Sequence, residues 1–282
     1  MLPLLVTICS FIYLLSLFTV IVNTGLVYDI FVSRKLKRQS TLTLFYIRFL
    51  IDILLATMWA CYISSYLIKA VAPDKDLDPY QLVIFSMNLI TSCTMSVRAV
   101  LVVIINFDRV SALFMPVLYH NYRKSVPNSI LIGSLLCIPI WHNIVLWVIC
   151  DYHFETSPGC IDVICWLDSC SRIYRYSFER YSHMIIAVTS LALALKLFVW
   201  NNCASETKSK HIERANYLAL TDAAIIILFD IIPTFFVELF HNHMTYVFST
   251  FALFRVGGYA LDAFLARREL RRKNKVETNN GS

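Results

Sequence analysis

Seven long apolar stretches constrain the fold of this chain more than any other feature of its sequence. A transmembrane helix needs about 20 predominantly apolar residues to cross a hydrocarbon core of about 30 Å. Seven stretches meet this requirement, and they cover residues 2–28, 41–68, 80–107, 126–150, 181–200, 215–240 and 244–266. The sequence therefore predicts an all-α membrane protein with one seven-helix transmembrane domain over residues 1–270 and a short basic tail over residues 271–282.

The composition excludes most classes of soluble protein. Hydrophobic residues make up 58% of the 282 residues and charged residues only 16%, an excess of apolar side chains that a soluble domain of this length cannot bury. No metal-ligand spacing, nucleotide-binding loop or catalytic motif stands on a segment predicted to face water, so we expect neither an enzyme nor a cofactor. A net charge of +6 does not by itself indicate nucleic-acid binding, because Lys and Arg that flank membrane spans give the same positive balance. We therefore expect no nucleic acid among the partners.

Lysine and arginine are distributed unevenly between the predicted loops, and this bias sets the orientation of a membrane protein. With the N-terminus outside, the inner loops and the tail hold 16 basic residues and the outer loops hold five. The sequence thus predicts an outer N-terminus and an inner C-terminus. The first stretch has no basic n-region and is longer than a signal-peptide core, so we expect it to remain as a span. Its cleavage would leave six helices and break the charge asymmetry.

Four of the nine cysteines cluster within 21 residues in the predicted second outer loop: Cys150, Cys160, Cys165 and Cys170. An even number of cysteines on the oxidising side of a membrane indicates up to two disulfides, with three possible pairings. The alternative is a zinc site that includes His153, although the spacing is not Cys-x-x-Cys. We expect at least one disulfide among the four cysteines, and no metal.

The predicted inner end of the third span carries residues with a specific spacing. Asp108 and Arg109 are adjacent, and Ala112, Pro116 and Tyr119 follow three, seven and ten residues after the arginine. This pattern resembles the Asp-Arg-Tyr region of rhodopsin-like G-protein-coupled receptors. The continuation HNYRKSVPNSI, the short N-terminus and the cysteine-rich loop resemble the nematode serpentine chemoreceptors, most of all their class bc branch.

The resemblance implies a rhodopsin-like receptor in the plasma membrane, and it leaves the sensory cilium open as the compartment. It also implies partners: the lipid bilayer, an external small molecule that the sequence does not identify, and a heterotrimeric G protein. The resemblance implies that four residues change the conformation of the cytoplasmic face for the G protein: Asp108, Arg109, Pro116 and Tyr119. The alternative is that Asp108 and Arg109 form an ordinary interfacial ion pair, which would contribute under about 1 kcal/mol to stability. Ile84 stands where the family's third-helix cysteine is expected, which implies that the four loop cysteines pair among themselves.

Ionisable residues inside the spans need partners, because an unpaired charge at the bilayer centre costs at least about 2.5 to 3.5 kcal/mol. By helical rise, Asp52 and Arg98 both lie about 16 Å from the inner surface, and we expect them to pair. The resemblance implies that Arg98 takes the place of a sodium ion beside Asp52. Asp230 and Arg255 lie about 15 to 16 Å from the outer face and form a second predicted pair. That pair is either the floor of a ligand cavity or a structural clamp.

Four residues near the predicted outer mouth are candidates for ligand contacts: Glu238, His183, His243 and Tyr246. The alternative for each is a solvated position on the rim. A small transporter or channel is the rival function, in which the paired charges would line a substrate path. Inverted repeats or helices interrupted by Gly and Pro would favour a transporter, and we find neither in the sequence. A receptor partner that does not itself signal is the third alternative.

Overall fold

The structure, a computed structural model, is helical in every regular element that it describes. It describes residues 2–34, 42–71, 80–117, 119, 121, 128–153, 167–203, 210–233 and 244–279. The helices are α1 (Leu2–Phe31), α2 (Thr43–Val71), α3 (Gln81–Phe114), α4 (Asn128–Leu135), α5 (Cys137–Ile144), α6 (Ser169–Cys203), α7 (Lys210–Ile226) and α8 (Met244–Asn279). Two π-helical turns, Val145–Ile149 and Ile227–Ile231, extend α5 and α7. The predicted all-α fold is confirmed.

Four stretches of helix among the described residues are long and apolar enough to cross a membrane. They are Leu4–Phe31, Thr43–Ser65, Gln81–Phe114 and Ile130–Ile149, and the last combines α4, α5 and the first π turn. The later helices α6, α7 and α8 contain more charged residues, among them the buried Asp222, Arg255 and Asp262. These three helices therefore have a weaker apolar signal than the first four crossings.

The surface of the bundle is apolar and its interior is partly charged, which is the reverse of a soluble protein. Leu14, Ile21 and Val188 are each more than half exposed, whereas Arg48 and Arg98 are almost completely buried. Exposed aliphatic side chains match a lipid surround, and ionisable residues of membrane helices face the bundle interior. The distribution is that of a membrane-spanning protein.

Helix α3 lies at the centre of the bundle. It packs against α2, α5, α6 and α7, while α1 packs against α2 and α8, and α8 also contacts α7. Three apolar clusters fill the interior: one includes Phe45 and Leu101, the second includes Trp59 and Phe85, and the third includes Ile186.

The boundaries of two helices differ from the prediction. Helix α6 begins at Ser169, twelve residues before the predicted span, so Arg172, Arg175 and Arg180 lie in a helix rather than in an outer loop. Asp168 explains this early start, because its carboxylate accepts hydrogen bonds from the backbone N–H groups of residues 170 and 171 at 3.1 and 3.2 Å. Helix α8 continues through Asn279, so residues 271–279 of the predicted tail are helical.

Gly258 in α8 marks a close approach to α7, and it provides a test of this packing. A β-carbon at position 258 would lie 2.8 Å from the β-carbon of Phe229, whereas one at Gly257 would meet no other part of the structure within 4 Å. We expect Gly258→Ala to push the two helices apart and to cost about 1 to 3 kcal/mol of stability. Gly257→Ala should be neutral or slightly stabilising, because alanine favours the helix. Melting temperatures in detergent measure the difference, and equal values for the two variants would contradict the close approach.

Candidate functional site

A cavity opens between α2, α3, α5, α6, α7 and α8. Its volume is about 180 Å³, and it is partly open to the exterior. The exposed Arg172 marks its mouth, and the buried Arg98 and Tyr259 also belong to its lining. Six aromatic side chains contribute to its walls: Trp59, Tyr62, Tyr176, Phe178, Phe251 and Tyr259. Such a concave site with apolar walls and a few polar groups is typical of small-molecule binding.

Arg255 of α8 joins three helices at the wall of this cavity. Its Nε donates to Oδ1 of Asp230 in the second π turn at 2.8 Å, and its guanidinium also contacts the carboxylate of Glu179 in α6. The same guanidinium lies 4.4 Å from the ring centroid of Phe251, which adds a cation–π contact. The predicted contact between Asp230 and Arg255 is therefore present, and Glu179 adds a third member.

The other predicted ligand contacts divide into two groups. His183 lines the cavity, one helical turn after Glu179 on the same face of α6. Glu238 and His243 lie outside the described residues, and so does the side chain of Tyr246. The structure therefore brings His183 to the cavity, and the roles of the other three remain predictions.

The predicted contact between Asp52 and Arg98 is present below the cavity. Nε of Arg98 lies 2.7 Å from Oδ1 of Asp52, and both side chains are at most 4% exposed. The guanidinium of Arg98 also lies 4.5 Å from the ring centroid of Tyr259. Because Arg98 and Tyr259 both line the cavity, this ion pair lies directly beneath the space available to a ligand.

Arg48 extends the pair into a network of five buried residues, which we call the charge network: Arg48, Asp52, Arg98, Asp222 and Asp262. Arg48 lies 3.5 Å from Asp52 and 2.7 Å from Asp222, and it contacts the Asp262 carboxylate. Arg98 lies 3.7 Å from Asp222 and 3.6 Å from Asp262. The network thus ties together α2, α3, α7 and α8. With three carboxylates and two guanidinium groups, it holds one carboxylate in excess.

Asp108, Arg109 and Tyr119 are connected at the end of α3 that lies farther from the cavity. The Arg109 guanidinium contacts the Asp108 carboxylate, and the Tyr119 hydroxyl donates to Oδ1 of Asp108 at 3.1 Å. Both charged side chains are only 6% exposed, so the pair is not a solvated surface pair. Pro116 is exposed just after the helix end. Three of the four predicted switch residues therefore form one cluster.

A disulfide joins Cys150 to Cys170, with their α-carbons 5.7 Å apart. It connects the end of the fourth crossing to the first turn of α6, and it confirms the prediction of at least one disulfide among the four cysteines. Cys160 and Cys165 lie outside the described residues. Since the sulfurs of Cys150 and Cys170 are bonded to each other, they offer no thiolate to a zinc ion.

Several residues at these sites were missed by sequence reasoning. Arg48, Asp222 and Asp262 carry a signal that could have found them, because each is an ionisable residue inside an apolar stretch and each therefore needs a partner. Glu179 was assigned to an outer loop because the fifth apolar stretch starts only at residue 181. Arg175 was assigned to the same loop, yet it lines the cavity.

The long apolar helices, the exposed apolar surface and the buried charges together define a multi-pass helical membrane protein. The chain matches the family model of the serpentine type 7TM GPCR chemoreceptor Srbc over residues 1–274. Because the match covers nearly the whole chain, the chain belongs to this family of seven-transmembrane chemoreceptors, and the predicted resemblance is confirmed. A comparison with curated proteins gave no match.

Proposed function

We propose that this chain is a chemosensory receptor of the plasma membrane that binds an external small molecule in the cavity and signals to a heterotrimeric G protein. One observation carries the proposal: the cavity, the charge network and the Asp108–Arg109 pair follow one another along α3. Arg98 lines the cavity and belongs to the network. Arg109 lies three helical turns further along, about 16 Å away.

The charge network lies between the cavity and the Asp108–Arg109 pair, and it supports a coupling between these two sites. A ligand can shift a conformational equilibrium only by binding one state more tightly than the other. A molecule that contacts Arg98 or Tyr259 in the cavity can alter how tightly the network holds α7 and α8 against α2 and α3. Close-packed interiors respond to such a change by moving between discrete arrangements rather than by gradual deformation.

The Asp108–Arg109 cluster is the proposed point of contact with the G protein. In the structure the Arg109 guanidinium forms an ion pair with Asp108, and the Tyr119 hydroxyl donates a hydrogen bond to the same carboxylate. An opening of the bundle around this end of α3 would give the Arg109 side chain room to turn away from Asp108 and make the guanidinium accessible to a partner. With the predicted outer N-terminus, this end faces the cytoplasm, and the cavity faces the exterior.

The substitution Arg109→Ala tests this function. A chemical library with a calcium readout first identifies an agonist of the wild-type receptor. We expect Arg109→Ala to abolish agonist-dependent nucleotide exchange on the G protein and to leave surface expression intact. Arg268→Ala is the matched control, because Arg268 is an exposed arginine in the second half of α8, and it should retain exchange.

The outcome separates the receptor from its rivals. Full nucleotide exchange in Arg109→Ala would contradict the proposed coupling residue. A transporter would retain substrate flux in this variant and would show no nucleotide exchange in the wild type. A receptor partner that does not signal would show neither flux nor exchange.

A further inference from the structure

Arg175 places a positive charge at the cavity, and no described residue serves as its acidic partner. It lines the cavity and is half-buried, about one and a half turns into α6. The two carboxylates that line the cavity, Glu179 and Asp230, are both held by Arg255. Within the described part of the chain, no carboxylate lies in ion-pair range of Arg175.

The surroundings of Arg175 are polar but uncharged. The groups that interact electrostatically with Arg175 are the thiol of Cys93 and the phenols of Tyr152 and Tyr174. All three groups are neutral near pH 7, and the guanidinium itself stays charged. A buried charge in a protein is normally paired, because removing it from water is costly. The site around Arg175 therefore has room for an anion that the described residues do not supply.

His142 supplies a second donor without a partner on the same cavity. Its side chain is 9% exposed and lines the cavity, and Nε2 is buried without a hydrogen-bond partner in the described residues. Nδ1 lies 2.9 Å from the Tyr174 hydroxyl. In the tautomer that carries its proton on Nε2, the imidazole accepts a hydrogen bond from the Tyr174 hydroxyl at Nδ1 and has a free donor at Nε2.

The other arginines of the lining are less available to an anion than Arg175 is, because each already has a partner. Arg98 is engaged by Asp52, and Arg255 is engaged by Asp230 and Glu179. Arg172 is exposed at the mouth, and its Nη2 donates to the backbone oxygen of Leu167 at 3.3 Å. Among the described residues of the lining, Arg175 is thus the half-buried cation without a carboxylate, and it suits a ligand with one negative charge.

We infer that the cavity binds a small organic monoanion, whose carboxylate lies on the guanidinium of Arg175 and accepts a hydrogen bond from Nε2 of His142. The planar guanidinium suits a carboxylate because it can donate two parallel hydrogen bonds. The apolar body of the ligand packs against the aromatic walls of the cavity at Trp59, Tyr62 and Phe178. This inference rests on the proposed function, since it names the ligand class of the same cavity.

Matched pairs of probes test the inference directly. Benzoate and octanoate are each compared with their primary amides, which keep the shape and lose the charge. Binding to the purified receptor in detergent is measured by the rise in melting temperature with probe concentration. We expect at least one carboxylate to bind the wild-type receptor more tightly than its amide does. Arg175→Gln should weaken carboxylate binding about tenfold or more, because a charge-assisted hydrogen bond contributes about 1.5 to 3 kcal/mol.

The controls separate a local effect from a folding effect. Arg180→Gln removes an exposed arginine of the same helix that does not line the cavity, and it should retain wild-type carboxylate binding. Binding of the amides should be the same in Arg175→Gln and in the wild type. If Arg175→Gln does not fold, Arg175→Lys takes its place: it keeps the charge, loses the two parallel donors, and should bind the carboxylate more weakly.

The inference is overturned if neither carboxylate binds the wild-type receptor, if each amide binds as tightly as its acid, or if the Arg175 variant binds the carboxylate like the wild type. Nucleotide exchange on the G protein is measured in parallel. Carboxylate binding that depends on Arg175 without any nucleotide exchange would support the anion site and reject the proposed signalling. Exchange triggered by neutral agonists and unchanged in Arg175→Gln would support the receptor function and reject the anion site.

Discussion

Replacing Arg48 with methionine is expected to prevent delivery of the protein to the cell surface and to remove about 3 to 5 kcal/mol of stability from the folded bundle. Arg48 is 2% exposed, and its guanidinium contacts Asp52, Asp222 and Asp262. Without it, three buried carboxylates share the single cation of Arg98. Methionine is a flexible apolar side chain that fills most of the vacated space, so the effect reports the lost charge more than lost packing.

Asp222→Asn is the matched control for this prediction, because the charge network holds one carboxylate in excess. Asparagine keeps the shape of Asp222, and its presence leaves two carboxylates for two guanidinium groups. We expect this variant to reach the surface far better than Arg48→Met. Flow cytometry on intact cells and melting temperatures in detergent provide the measurements. Equal damage from the two substitutions would show that the balance of charge does not determine the stability of the network.

Arg255→Met is expected to have the second large effect, because it leaves Glu179 and Asp230 as carboxylates without their shared cation. Removing one partner of a buried ion pair typically costs about 3 to 5 kcal/mol. The variant should also lose its response to agonist, since these residues line the cavity and hold α6, α7 and α8 together there. The measurements are the melting temperature in detergent and agonist-dependent nucleotide exchange.

The double variant Arg255→Met with Asp230→Leu separates charge imbalance from lost packing. Asp230 is buried, whereas the Glu179 side chain is 35% exposed and can be hydrated through the mouth of the cavity. We therefore expect the double variant to be more stable than Arg255→Met alone. If instead its loss equals the sum of the two single losses, the residues do not interact as an ion pair.

The class of the protein and its family motif could be predicted from the sequence. The length of an apolar stretch is a local property, and it decides whether a helix can cross a bilayer. The spacing of Asp108, Arg109 and Tyr119 is equally local, and the structure brings these three side chains together. The start of α6 could not be predicted from apolarity, because Asp168 begins that helix outside the apolar stretch.

The depth of a residue in the membrane was enough to predict the two ion pairs, but not the other charged residues that contact them. A fixed rise per residue places Asp52 level with Arg98 and Asp230 level with Arg255. Depth does not give the rotation of each helix about its axis, and that rotation decides which other charges reach the pair. Arg48 contacts the first pair and Glu179 the second only because of how the helices are rotated and packed. Loss of Asp52 therefore leaves two carboxylates with two guanidinium groups rather than an isolated Arg98.

The sequence by itself determined that this chain crosses a membrane as a helical bundle and that it resembles the serpentine chemoreceptors. Only the tertiary structure decided which charges are compensated. Arg175 and Arg255 are both arginines near the same cavity, and nothing in their local sequence distinguishes them. Arg255 is paired with Asp230 and Glu179, whereas Arg175 has no carboxylate partner among the described residues. The difference arises because ion pairing depends on distances of a few ångströms between side chains of different helices.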